Sequence, residues 1–111
     1  CDEVYRSLMK MRWQPSLQII PHYESEPLYI DALVKSIKKK VSEISWKPDL
    51  IIASYHGIPQ KYFDKGDPYQ CYCQKTTRLM NEKFQEILIE TTFQSRFGPE
   101  KWLTPYTDKT L

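Results

Sequence analysis

A short apolar run at residues 49–53 (DLIIA) constrains the fold of this chain more than any other feature. The run is rich in β-branched residues and too short for a buried helix, so it predicts a buried strand that reaches Tyr55. The stretch before it keeps apolar residues at helical spacing, with lysines mainly between them. That stretch predicts a long helix with Ser25 as its N-cap, which ends near Ile44 before Trp46-Lys47-Pro48.

The rest of the chain continues the alternation of strands and helices. The further predicted elements are a helix over Asp2–Met11, a strand over Leu17–His22, a helix over Gln70–Phe84 and a strand over Ile87–Gln94. Strands that alternate with helices are typical of βαβ crossovers. The sequence therefore predicts an α/β fold: a three-layer αβα arrangement with a parallel sheet covered by helices on both faces.

His56 follows the predicted strand directly, within the segment SYHGIP at residues 54–59. In open parallel sheets ligands bind beyond the carboxyl ends of the strands, so this imidazole is expected at a functional position. Gly57 leaves room beside it, and Pro59 stops the strand from continuing. The alternative is a polar histidine at a strand end that only forms hydrogen bonds with the loop.

Three long segments resemble the ferrochelatase family. They are SYHGIPQKYFDKGDPY (residues 54–69), TTFQSRFGPEKWLTPYTDKTL (residues 91–111) and the upstream stretch 16–49 with PHYESEPLYIDAL. The family inserts ferrous iron into protoporphyrin IX to make protoheme. The resemblance covers almost the whole chain but only the middle of the family's sequence. It implies that residues 1–111 form a single, truncated chelatase-type α/β domain, a Rossmann-like half-domain.

The two ends of the chain also lead us to expect a fragment. The sequence begins with Cys1 rather than methionine. Thr107 and Asp108 are good capping residues, but the predicted helix that follows them stops at Leu111 after one turn.

The resemblance places the family's invariant histidine on His56, as pyrrole-proton acceptor, metal ligand or both. Imidazole as a side-chain type suits both roles, because it titrates near neutral pH and binds ferrous iron. The family's partner glutamate lies beyond Leu111, and neither Glu90 nor Glu100 matches its motif.

By the same resemblance, a second group of residues borders the porphyrin: Gln94, Ser95, Arg96, Phe97 and Trp102. These residue types suit a flat apolar macrocycle with propionates, which needs aromatic faces and hydroxyl or guanidinium donors. Trp102 could equally be a packing residue, and Arg96 a surface charge. The turn Gly66-Asp67-Pro68-Tyr69 is given no chemical role.

The cysteines predict no iron–sulfur cluster and no tightly bound cofactor, so Fe²⁺ is expected only as substrate. A closed thiolate site normally needs four ligands, whereas this chain has Cys71, Cys73 and, far from them in sequence, Cys1. The C-x-C spacing is also narrower than usual. We expect free thiols in the first turn of a helix. His22 is expected to be an ordinary polar residue after a short strand.

Charge and hydropathy limit the classes of partner and the location that we expect for this chain. A formal net charge of +2 is too small to indicate nucleic acid, and the run at residues 38–40 (KKK) fits the solvated face of a helix. No apolar stretch is long enough to span a bilayer and no secretory signal is visible, so the reduced cysteines indicate a cytoplasmic location. The expected partners are protoporphyrin IX, ferrous iron and the remaining segments of the chain; peripheral membrane contact is left open.

Two other functions remain open at this point. One is a cobalt chelatase that acts on a different tetrapyrrole, since chelatases share a fold and an active-site histidine. The other is a folded half-domain without activity of its own.

Overall fold

A computed structural model describes residues 2–111 and shows helices and parallel strands in alternation. The helices are α1 (Asp2–Met9), α2 (Pro27–Glu43), α3 (Gln60–Asp64), α4 (Tyr69–Lys83) and α5 (Thr107–Thr110). The strands are β1 (Ile51–His56) and β2 (Ile89–Gln94). The predicted α/β class is confirmed, and so are the two strands and the long helices at α2 and α4.

β1 and β2 form a parallel pair, in register from Ile51 opposite Ile89 to His56 opposite Gln94. Parallel neighbours cannot be joined by a tight turn, and here α3 and α4 make the crossover between them. The carboxyl ends of both strands therefore lie at the same edge of the sheet. His56 is the last residue of β1 and Gln94 is the last residue of β2.

Helices α2 and α4 cover one face of the sheet. The main core joins Ile30 and Val34 of α2 to Met80 of α4, to Phe84 just after it and to Ile89 of β2. These positions on α2 and α4 recur at helical spacing, so each helix buries one stripe and leaves its charged residues in solvent. A second, smaller cluster of Cys73, Phe93 and Leu103 lies near the carboxyl ends of the strands. Among the described helices none is long and apolar enough to cross a bilayer.

Hydrogen bonds between hydroxyl groups connect each face of the sheet to a helix. The hydroxyl of Thr77 on α4 is 2.9 Å from Tyr55 Oη and accepts a hydrogen bond from Thr91 at 2.8 Å. On the opposite face, Thr107 of α5 bonds to Ser54 at 2.9 Å and to Thr92 at 2.8 Å. On the opposite face these contacts come from the short helix α5, and the full three-layer arrangement goes beyond what the described residues show.

The predicted strand over Leu17–His22 is wrong. These residues pair with no strand of the described chain, and Leu17, Ile19 and Ile20 are 45%, 57% and 83% exposed. A strand needs a neighbour to satisfy its backbone groups, and the described residues place none beside this segment.

The predicted boundaries of the helices also shift. The N-cap of α2 is Glu26 rather than Ser25, with Pro27 in the first turn, where its fixed φ and missing N–H suit a helix start. Helix α3 follows Pro59, in a segment for which no helix was predicted. Thr107 lies within α5, with Tyr106 as N-cap, instead of capping the helix.

The side chain of Asn81 in α4 forms hydrogen bonds with the backbone of Ile89, the first residue of β2, on the outer edge of that strand. Its side-chain amide donates to Ile89 O at 2.8 Å, and its Oδ1 accepts from Ile89 N–H at 2.8 Å. Because Ile89 is almost fully buried, these backbone groups have little access to water. Asn81 thus takes the place of a neighbouring strand.

We expect Asn81→Ala to lower the free energy of unfolding by about 1–3 kcal/mol, because it leaves a buried donor and acceptor unpaired. The exposed Gln74 of the same helix supplies the control, and Gln74→Ala should change stability by less than about 0.5 kcal/mol. Urea-induced unfolding followed by circular dichroism measures both. Equal stability of the two variants would show that the Asn81 bonds contribute nothing.

Candidate functional site

His56 presents one free imidazole nitrogen to solvent at the end of β1. Its side chain is exposed, and Nδ1 lies 2.7 Å from the carbonyl oxygen of Gly57. A carbonyl oxygen can only accept, so Nδ1 carries the hydrogen of this bond. In the neutral ring Nε2 then keeps its lone pair. The local backbone therefore fixes the tautomer in which Nε2 can accept a proton or bind a metal.

The backbone of Gly57 connects the carboxyl ends of β1 and β2. Its N–H donates to Gln94 O at 2.8 Å, which extends the pairing by one residue. A Cβ at this position would lie 2.9 Å from that oxygen and 3.2 Å from Cε3 of Trp102. Only glycine fits so close to a backbone oxygen, and the space it leaves is occupied by Gln94 O and Trp102 rather than left open beside His56.

Two further residues hold this backbone, and sequence reasoning gave neither a role. Tyr69 Oη donates to His56 O at 2.9 Å, and Leu103 N–H donates to Ile58 O at 3.0 Å. Tyr69 stands at the start of α4, where its N–H donates to Asp67 Oδ1 at 2.9 Å. The available signal was the turn motif Gly66–Tyr69, although the motif does not reveal where the hydroxyl points.

The residues after β2 line a pocket of about 390 Å³ at the same edge of the sheet. Gln94, Ser95 and Arg96 form one side, and Thr107 and Asp108 of α5 lie across from them. Ser95 turns the chain here with a φ of +67°, a conformation that is uncommon outside glycine. The structure therefore brings three of the predicted substrate-binding residues together, and one of them, Gln94, is the residue that pairs with His56.

Arg96 is already engaged in this pocket. Its guanidinium donates to Asp108 Oδ2 at 2.8 Å and lies over the ring of Tyr106, 4.2 Å from the centroid. Both side chains of the ion pair are about half exposed, so the pair is worth little to stability. An incoming anion could exchange with Asp108 at small cost.

Phe97 and Trp102 form an aromatic pair with opposite exposure. Their ring centroids are 5.0 Å apart, and Trp102 Nε1 donates to Phe97 O at 3.0 Å. Phe97 is 77% exposed, whereas Trp102 is 5% exposed and lies against Gly57. The burial of Trp102 matches its packing alternative. Phe97 offers the open aromatic face.

A second pocket, of about 410 Å³, lies on the other face of the sheet, away from the predicted site residues. The residues that line it include Tyr55, Tyr69 and Tyr72 together with His22 and Glu24. The imidazole of His22 packs against the ring of Tyr72, with 4.7 Å between centroids. A hydrogen bond from Lys75 lowers the pKa of Glu24 and ties residues 20–24 to α4. These contacts anchor an extended segment to a helix.

Among residues 2–111 no three His, Cys, Asp or Glu side chains lie close enough to hold a metal ion. His56 therefore belongs to no such three-residue cluster within this part of the chain. Cys71 is exposed and Cys73 is buried, so the two thiols occupy different environments. Burial raises the pKa of the Cys73 thiol, which disfavours the thiolate that metals bind. Cys1 lies outside the described residues.

Comparison with known proteins assigns the whole chain to one group. A sequence model of the family described as ferrochelatase matches residues 1–111. The chain is 54% identical over 112 residues to a ferrochelatase of Rhizobium meliloti (strain 1021) and 52% identical over 112 residues to one of Brucella ovis. Each match covers 99% of this chain. The chain spans only about a third of the length of these relatives, 33% and 32% respectively.

We expect the purified chain to show no iron–sulfur absorbance and no stoichiometric metal bound through Cys71 and Cys73. The reason is the separation of one exposed and one buried thiol, the latter with a raised pKa. Visible absorbance and metal analysis of the protein as purified, beside Cys73→Ser, test this. A stable cluster spectrum that disappears in Cys73→Ser would contradict the expectation.

Proposed function

The chain belongs to the ferrochelatase family, and from this premise we propose that the complete protein inserts ferrous iron into protoporphyrin IX to form protoheme. The observation that carries the proposal for the site is the free Nε2 of His56 at the carboxyl edge of a parallel sheet. We further propose a cytoplasmic location, which the free thiols of Cys71 and Cys73 support.

Iron insertion exchanges two pyrrole protons for one Fe²⁺, so a base must act at the macrocycle. We assign this role to His56, whose Nε2 takes a pyrrole proton while Nδ1–H stays on Gly57 O. The exposed ring can then release the proton to water before the next transfer. The same lone pair suits an incoming ferrous ion, which imidazole binds well. Both roles use one atom, so they follow one another in time.

The residues after β2 would bind the macrocycle. Phe97 supplies an aromatic face, and Trp102 supports it from the buried side. Gln94 and Ser95 offer polar atoms at the rim, and Arg96 suits a propionate that displaces Asp108. Because the Arg96–Asp108 pair is half exposed, this exchange costs little.

For the complete protein we propose a three-layer αβα domain that contains residues 1–111. α2 and α4 supply one layer, and α5 occupies part of the opposite face. The resemblance implies that segments outside this chain complete that face and supply a wall opposite His56 and a glutamate. The named relatives are ferrochelatases, which does not favour a cobalt chelatase acting on another tetrapyrrole.

His56→Ala in the complete protein should lower iron insertion by about a hundred- to ten-thousand-fold, since it removes a general base. Because the ring is exposed and its one bond is local, the fold should survive. The other histidine of the chain provides the control: His22→Ala should keep turnover near that of the unaltered protein. Initial rates of heme formation test both. Near-normal turnover of His56→Ala would remove His56 from the mechanism.

Residues 1–111 alone should not catalyse metal insertion, even if they fold. One imidazole positions neither the porphyrin nor the metal, and no three-ligand metal group exists among residues 2–111. Positioning by well-oriented groups can account for roughly 7–11 kcal/mol of a barrier. A zinc-porphyrin formation assay on the piece beside the complete protein measures this. Comparable turnover would mean that this third of the protein holds the whole active site.

A further inference from the structure

We propose that Tyr69 is a positioning residue for His56: its hydroxyl holds the peptide that joins His56 to Gly57 and thereby sets the orientation of the imidazole. The geometric part of this proposal stands on the contacts of the described residues. Its consequence for turnover rests on the proposed function.

The peptide between His56 and Gly57 is held at both of its polar groups. Its carbonyl oxygen accepts from Tyr69 Oη at 2.9 Å, and its N–H donates to Gln94 O at 2.8 Å. With both groups fixed, the peptide plane cannot rotate without breaking a hydrogen bond. Gln94 belongs to the sheet, whereas Tyr69 belongs to α4, so the plane is tied to two separate elements.

The fixed plane sets the start of Gly57, whose φ and ψ then direct the next carbonyl. Gly57 O accepts from His56 Nδ1 at 2.7 Å, and this bond selects the tautomer with a free Nε2. The following carbonyl, Ile58 O, is also occupied, by Leu103 N–H at 3.0 Å. A rotation at the first peptide would therefore move the acceptor on which the imidazole depends. In this way the Tyr69 hydroxyl acts on Nε2 without touching it.

Tyr69 is itself well suited to hold a carbonyl. Asp67 Oδ1 accepts from its N–H at 2.9 Å and fixes the chain at the start of α4. Burial raises the pKa of Tyr69 to about 12, and the nearby Cys73 adds to this shift. The hydroxyl consequently stays protonated, as a donor, throughout the physiological pH range. The turn motif Gly66–Tyr69, which had no chemical role, thus has one.

The test is Tyr69→Phe in the complete protein, with Tyr55→Phe as its matched control. Both substitutions remove one hydroxyl that bonds across the contact between β1 and α4, and both bonds are 2.9 Å long. The Tyr55 bond ends on Thr77 rather than on the His56 peptide. Two quantities are measured: the kcat and KM of metal insertion with porphyrin, and the ¹⁵N chemical shifts of the His56 imidazole, assigned by their loss in His56→Ala.

Tyr69→Phe should lower kcat by about 10- to 100-fold, as loss of a residue that orients a functional histidine typically does, with little change in KM. In this variant the ¹⁵N shifts of the His56 imidazole should change from those of a single Nδ1–H tautomer toward those of a mixture of tautomers. Tyr55→Phe should leave both readouts unchanged, although both variants lower the midpoint of thermal unfolding.

Two results would overturn the proposal: an unchanged His56 tautomer in Tyr69→Phe, or equal changes of tautomer and kcat in both variants. The nitrogen shifts keep this test separate from the proposed function. If the unaltered protein inserts no iron, the proposed function fails, while the tautomer of His56 in the two variants still decides whether Tyr69 positions it.

Discussion

The parallel pairing of β1 with β2 is the constraint on which the site depends. In-register pairing places His56 beside Gln94, and it does so only because α4 carries the chain back to start β2 at the same level as β1. Asn81 secures the start of β2, and the bond from Gly57 to Gln94 secures the end of the pair. A change of register by one residue would turn every side chain to the other face and separate the imidazole from the pocket beside Gln94.

Local patterns in the sequence were enough to predict β1, β2, the helices at α2 and α4, and the position of His56 at a carboxyl end of the sheet. Each depends on periodicity within a short window or on the rule that parallel strands end at one edge. The predicted strand over Leu17–His22 was wrong because an apolar sequence does not by itself provide a neighbouring strand to pair with. Side-chain bonds to distant backbone, such as those of Asn81 and Tyr69, could not be predicted from the sequence, since they depend on the distance between elements.

The exposure of the aromatic pair was equally hidden from the sequence. Phe97 and Trp102 are five residues apart and both are large and apolar, so composition gives no reason to bury one and expose the other. The close approach at Gly57 determines that Trp102 is the buried ring, because this ring fills the space that a side chain at Gly57 would occupy. Packing that arises from a missing side chain can be recognised only in three dimensions.

The exposure of His56 has two opposite consequences for chemistry. Under the proposed function, water at Nε2 would accept protons from the imidazole, but it would also compete for a ferrous ion and weaken every electrostatic interaction at the site. No cluster of three potential ligands exists among the described residues, so His56 would not displace the hydration shell of a metal by itself. A flat apolar macrocycle seated on Phe97 would itself exclude much of that water. Substrate binding would then create the low-dielectric surroundings in which a single well-oriented base is effective, which makes the orientation of the His56 ring before binding the contribution that this chain must supply.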